Sequence, residues 1–191
     1  MDIADRKRLV RAVLFLVIST GDVASADEGD PASEMPGFST SKDTDSWFNL
    51  RALDINVYGL SYHPDRQTVH EKNLDNQVNP GLALHYQLHE TARGITFVEA
   101  GAYEDSGSNW AKFAGLGYQF KFGNWKIGGA VAAVNSATYN RGTTFVGMIP
   151  LVTWDLGRIK LNGTYFPKIA NYNEIDAFGF YLSIPLGAWM H

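Results

Sequence analysis

His63, Asp105 and Ser106 are residues of this chain whose types together suit the movement of an acyl group. A neutral imidazole takes a proton from a hydroxyl near neutral pH. A carboxylate can fix the tautomer of that imidazole. A serine hydroxyl can attack a carbonyl or donate to the oxyanion that develops on it. The residue types alone say little, because the chain has five His and many Ser, and loop Asp and Ser are commonly turn formers. Neighbours such as Asp105 and Ser106 point to opposite sides of a regular strand. Both reach one site only if the chain turns there, which Gly107 permits.

The elements that position the three give the set its meaning. Short amphipathic segments occupy 53–63, 81–89, 94–104, 110–120, 125–134, 146–155, 158–166 and 176–186. The connections 64–80, 105–109, 136–145 and 167–175 are longer, and those at 89–93, 123–124 and 156–157 are tight. This alternation predicts an all-β fold, an eight-stranded antiparallel outer-membrane β-barrel with short turns at one rim and longer loops at the other. His63 ends the first strand and Asp105-Ser106 opens the loop after the third, so all three fall at the long-loop rim. With the mature N-terminus on the periplasmic side, that rim faces the outer leaflet.

Side-chain parity supports strands. Leu82, Leu84, Tyr86 and Leu88 oppose Gly81, Ala83, His85, Gln87 and His89, and Phe178, Phe180, Leu182 and Ile184 oppose Ala177, Gly179, Tyr181 and Ser183. The bulky residues gather on one face and the small ones on the other, which favours a membrane barrel over a soluble sandwich or lipocalin-like barrel. Segments 53–63, 94–104 and 146–155 alternate poorly, and 125–134 is apolar on nearly both faces. A bore that holds a hydrocarbon accounts for that pattern.

Arg6, Lys7, Arg8 and Arg11, the apolar run 12–18 and Ala24-Ser25-Ala26 form the pattern of a secretory signal peptide over 1–26. Residues 27–50 read as a polar flexible segment in which Trp47, Phe48 and Leu50 anchor the end at the inner rim. The barrel domain takes 51–191. A net charge of −4 argues against nucleic-acid binding, and the lack of Cys removes thiol chemistry and Cys-based metal sites. His85 and His89 share a strand face without a third ligand, so lumen histidines are expected and no metal site. Glu99 is read as a lumen charge or a paired structural residue. His70 and Glu71 are expected to be solvated.

The run YEDSGSNWAKFAGLGYQF (103–120) resembles the Asp-Ser…Trp…Ala-Gly-x-Gly-aromatic segment of the PagP-type lipid A palmitoyltransferases. Tyr62-His63 is similar to that family's aromatic-His pair. Pro150-Leu151, then Thr164–Pro167 and Asn171–Asn173, resemble its last two strands and their loop, so the likeness covers about 55–187 in order. The resemblance implies transfer of a palmitoyl-type chain from a phospholipid to a hydroxyl of lipid A; no cofactor is expected, and a monomer is the simplest case for a small closed barrel. It implies a site of His63, Asp105 and Ser106, with Gly117 as the floor of a lumenal acyl pocket and Pro80, Pro150 and Pro167 marking lateral lipid access. A proline lacks the ladder donor, so strand pairing weakens there. Two features depart from the family: 27–46 is polar where an amphipathic helix belongs, and Tyr58 stands in place of a proline. A lipid A deacylase or phospholipase barrel, and a non-enzymatic structural or adhesive barrel, are the alternative readings.

Overall fold

In the computed structural model, residues 49–169 and 172–190 are described. The signal-peptide and leader expectations, and those on Trp47, Phe48 and Asn171, lie outside them. Eight strands close into one barrel in sequential order, each antiparallel to its neighbours. They are β1 (Leu53–Tyr62), β2 (Val78–Glu90), β3 (Gly94–Glu104), β4 (Trp110–Phe122), β5 (Trp125–Asn135), β6 (Phe145–Asp155), β7 (Lys160–Phe166) and β8 (Ala177–Pro185). A short helix, α1 (Arg66–Glu71), lies in the loop after β1 and is capped by the Asp65 carboxylate on the Thr68 amide.

The outer face is apolar, unlike that of a water-soluble barrel. Leu82, Leu84, Leu116, Phe120, Met148, Phe180 and Leu182 are exposed on the outside, while Ala83, Phe97, Phe113, Ala132, Leu151 and Tyr181 are buried in the bore. Trp125 and Trp154 stack at the short-turn rim with centroids 5.3 Å apart. The β4–β5 hairpin closes there through Gly123, whose φ of 60° suits a residue without Cβ. No helix among the described residues is long and apolar enough to cross a membrane, which says nothing about strands.

The weak alternation of 53–63 has a local cause. The β1 ladders to both β2 and β8 slip between Tyr58 and Leu60. Against β8 Gly59 is the extra residue of a bulge, whereas against β2 the surplus lies in β2, where Asn79 and Pro80 face Gly59; the inward parity of β1 moves from Asp54, Asn56 and Tyr58 to Ser61. A second slip between Gln87 and His89 leaves His89 exposed at the rim, not in the bore.

The bore has two halves. Toward the long-loop rim it is lined by Tyr58, Tyr103, Phe113, Ala132, Val134, Ile149 and Leu151 around a largely apolar cavity. Toward the short-turn rim it is occupied by polar and charged side chains. Lys160 donates to Asp54, Lys126 donates to Asp155 at 2.7 Å, and Gln119, Thr153, Asn162 and Ser183 form a chain of hydrogen bonds. The expectation of an apolar bore therefore holds for the outer half and is corrected for the inner half. A buried charge persists only when paired and hydrogen-bonded, and these residues supply one another.

Candidate active site

His63 follows β1 and Ser106 follows β3, and the closed barrel sets them side by side. Ser106 Oγ donates to His63 Nε2 at 2.8 Å. His63 Nδ1 lies 3.3 Å from the carbonyl oxygen of Asp176. A carbonyl only accepts, so Nδ1 carries the proton and Nε2 presents its lone pair to the serine. His63 is 1% and Ser106 7% exposed. This tautomer lets the imidazole take a proton from a hydroxyl.

Asp105 does not orient His63. Its fully buried carboxylate accepts from the amides of Gly107 (2.9 Å) and Asn109 (3.1 Å), from Thr138 Oγ1 (2.8 Å) and from Ser136. It ties the loop after β3 to the loop after β5. The turn that this requires has its left-handed residue at Ser108 (φ 57°), not at Gly107. Gly107 serves a close approach instead, because a Cβ there would fall 2.5 Å from Thr138 Oγ1. Asn76 clasps the same segment, its amide donating to the Ser106 carbonyl at 3.3 Å and its side chain to that of Asp105 at 3.2 Å.

The residue that holds the imidazole is Asp176, which sequence reasoning missed. Its carboxylate accepts from Tyr165 Oη at 2.6 Å and from the Lys168 amide at 2.8 Å, pinning the end of the loop after β7. Its backbone carbonyl is thereby presented to His63. A backbone contact leaves no signature in the residue type, so the sequence held no signal for it.

Burial pushes the His63 pKa below 6.5, outweighing the bond to Asp176, which raises it, and Arg66 lowers it further. As a base His63 must be neutral, so the acid limb of the activity profile is expected below pH 6.5. The linkage has the same sign. Above 6.5 both folded and unfolded chains are neutral at this site; as pH falls below it, the unfolded chain binds its proton first and stability declines. Titrating kcat/KM against pH checks this, and an acid limb above 6.5 contradicts it.

Gly117 faces the bore but does not open to the cavity. A Cβ on Gly117 would sit 2.2 Å from Cζ of Phe97, whose fully buried ring covers the glycine and stacks on His85 at 4.4 Å. Phe97, not Gly117, is the surface met at the bottom of the cavity. Beside it Glu99 accepts from Tyr58 Oη at 2.6 Å and pairs with His85 at 3.2 Å, so His85 is a satisfied lumen histidine and Glu99 a paired lumen charge. Tyr58 stacks between Tyr103 (5.3 Å) and Tyr181 (4.5 Å). His70 is exposed and pairs with Asp75, and Glu71 accepts from Gln67.

The barrel wall thins near the prolines. Pairing of β6 with β7 runs from Asp155↔Lys160 to Leu151↔Thr164 and stops at Pro150. A small apolar cavity lined by Met148, Ile149, Phe166 and Pro167 lies beyond it. Pro80 sits opposite the Gly59 bulge, past the last β2–β3 pair at Gly81↔Tyr103. No group of His, Asp or Glu among the described residues is arranged to hold a metal. No protein-family model matches the chain, and no curated protein matches it at a significant level.

Proposed function

We propose that the protein is an outer-membrane phospholipid:lipid A acyltransferase that moves a palmitoyl-type chain onto a lipid A hydroxyl. The observation that carries this reading is the 2.8 Å His63–Ser106 hydrogen bond at one rim, above a largely apolar cavity in the outer half of the bore. The exposed apolar belt suits a bilayer, and its aromatic edge suits the interface. A phospholipid tail reaching the bore through the wall near Pro150 would place its ester near His63.

In this mechanism the lipid A hydroxyl attacks the phospholipid ester carbonyl while Nε2 of His63 takes its proton. Ser106 donates to the oxyanion or positions the substrate; a serine nucleophile would use the same pair. Collapse of the tetrahedral intermediate expels the lysophospholipid alkoxide, which recovers the proton from His63. Neither step calls for a metal or an organic cofactor.

The same pair can serve hydrolysis, so the acceptor decides between the readings. Purified protein in mixed micelles with phospholipid is expected to release lysophospholipid and acylate added lipid A. Free fatty acid without acylated lipid A would make it a phospholipase, and loss of a chain from lipid A would make it a deacylase. Inertness toward all of these lipids would leave a structural barrel.

A further inference from the structure

Asn79 lies on β2 immediately before Pro80 and shares the inward face with Gly81, Ala83 and His85. Only 6% of the residue is exposed, yet its side-chain carbonyl oxygen has no hydrogen-bond partner. Leaving such a group unsatisfied costs about 1–3 kcal/mol, so a chain that needed only packing here would do better with an apolar residue. Asn79 lines a small cavity together with Ser61 and Ser106. On its other side the cavity is bounded by Leu60, Phe178 and Phe180, which belong to the exposed apolar belt. The Gly59 bulge lies in the same wall, and a Cβ built on Gly59 meets nothing within 4 Å. The unpartnered oxygen is thus placed between the outer surface and the His63–Ser106 pair.

We infer that Asn79 is a substrate-positioning residue whose side-chain carbonyl accepts a hydrogen bond from the acyl acceptor, holding that acceptor's reactive hydroxyl toward His63. This rests on the acyl-transfer reading above. An unpaired oxygen selects for an O–H or N–H donor and against a phosphate or an ester carbonyl. The ester and phosphate of the phospholipid cannot supply that donor, whereas the acceptor's hydroxyls and amide N–H can. An ammonium or hydroxyl of the phospholipid headgroup is the competing source, and a rise in donor KM rather than acceptor KM in Asn79→Leu would reveal it and overturn the inference. The partner is a second polar group of the acceptor, a neighbouring hydroxyl or amide N–H. The attacking hydroxyl gives its own proton to His63, so the two bonds do not compete. Asn79 takes no part in bond making.

Asn79→Leu keeps the number and branching of the side-chain heavy atoms and removes the polar end. Acceptor KM is expected to rise about tenfold, the loss of one hydrogen bond of roughly 1.4 kcal/mol. KM for the phospholipid donor and the shape of the pH profile stay as in the unsubstituted protein. The thermal midpoint stays the same or rises, because the variant no longer buries an unsatisfied oxygen. Unchanged acceptor KM in a folded variant would overturn the inference, and so would a fall in the midpoint with donor and acceptor kinetics damaged alike, which marks a structural residue. If the unsubstituted protein acylates no acceptor, it is the acyl-transfer reading that fails.

Discussion

Replacing His63 with alanine is expected to lower acyl transfer by about 10²–10⁴-fold, the usual worth of a positioned general base. Nε2 accepts from Ser106 at 2.8 Å, and among the described residues no other imidazole is placed to stand in, since His85 is committed to Glu99, His70 to Asp75, and His89 lies exposed at the opposite rim. Ser106→Ala is expected to cost a similar factor. The double substitution should cost hardly more than either alone, because groups that act as a unit are not additive. Fully additive losses would show that the two act independently. Asp105→Asn should behave differently. It weakens the bonds to Gly107, Asn109, Ser136 and Thr138, so the loss should appear as loosening of two loops, with the acid limb that belongs to His63 unmoved. A shifted acid limb in Asp105→Asn would restore the orienting role expected from the sequence.

The second large effect concerns chain length. Phe97→Ala is expected to move the preferred acyl chain upward by several methylenes and to destabilise the barrel by about 3–5 kcal/mol, as deletion of a fully buried aromatic ring does. A tail leaving one hydrocarbon environment for another gains little by burial, so selection must come from steric limits at the floor. Overfilling a closed cavity costs roughly 1–3 kcal/mol, enough to exclude a longer tail. Gly117→Ala should act in the opposite sense, since its Cβ would push the Phe97 ring from a separation of 2.2 Å up into the cavity. Competition among donors of graded length, read by mass spectrometry of the products, measures both. Identical profiles for Phe97→Ala, Gly117→Ala and the unsubstituted protein would show that the floor lies elsewhere.

Most of the barrel was legible because period-2 patterning and turn residues act locally. Seven strands could be placed within a few residues, those with clear parity by alternation and 94–104, whose parity is poor, by the turns that flank it; 81–89 proved longer, starting at Val78, because Pro80 marks its end poorly. Poor parity in 53–63 was a signal of another kind, the Gly59 bulge, which reverses the inward set halfway along β1. The meeting of His63 and Ser106 was also legible, since strand order alone carries two strand ends to one rim. What escaped was everything decided by three-dimensional partners. Asp105 spends its carboxylate on loop amides, and an Asp followed by Ser-Gly reads the same whichever partner it takes. The Phe97 ring lies over Gly117 because β3 and β4 pair Phe97 with Gly117, a register the sequence does not print. The polar packing of the inner bore depends on Lys160 meeting Asp54 across the interior, 106 positions away.

The central claim is that a proton-accepting pair at the rim serves a lipid-filled cavity to acylate lipid A. It is tested most directly by lipid A mass spectrometry of Gram-negative cells expressing the full chain or its His63→Ala, Ser106→Ala form. The account predicts a species heavier by one acyl chain with the intact protein and none with the variant, both barrels being folded and equally abundant. Identical lipid A spectra from the two, or a heavier species that persists in the variant, would contradict it.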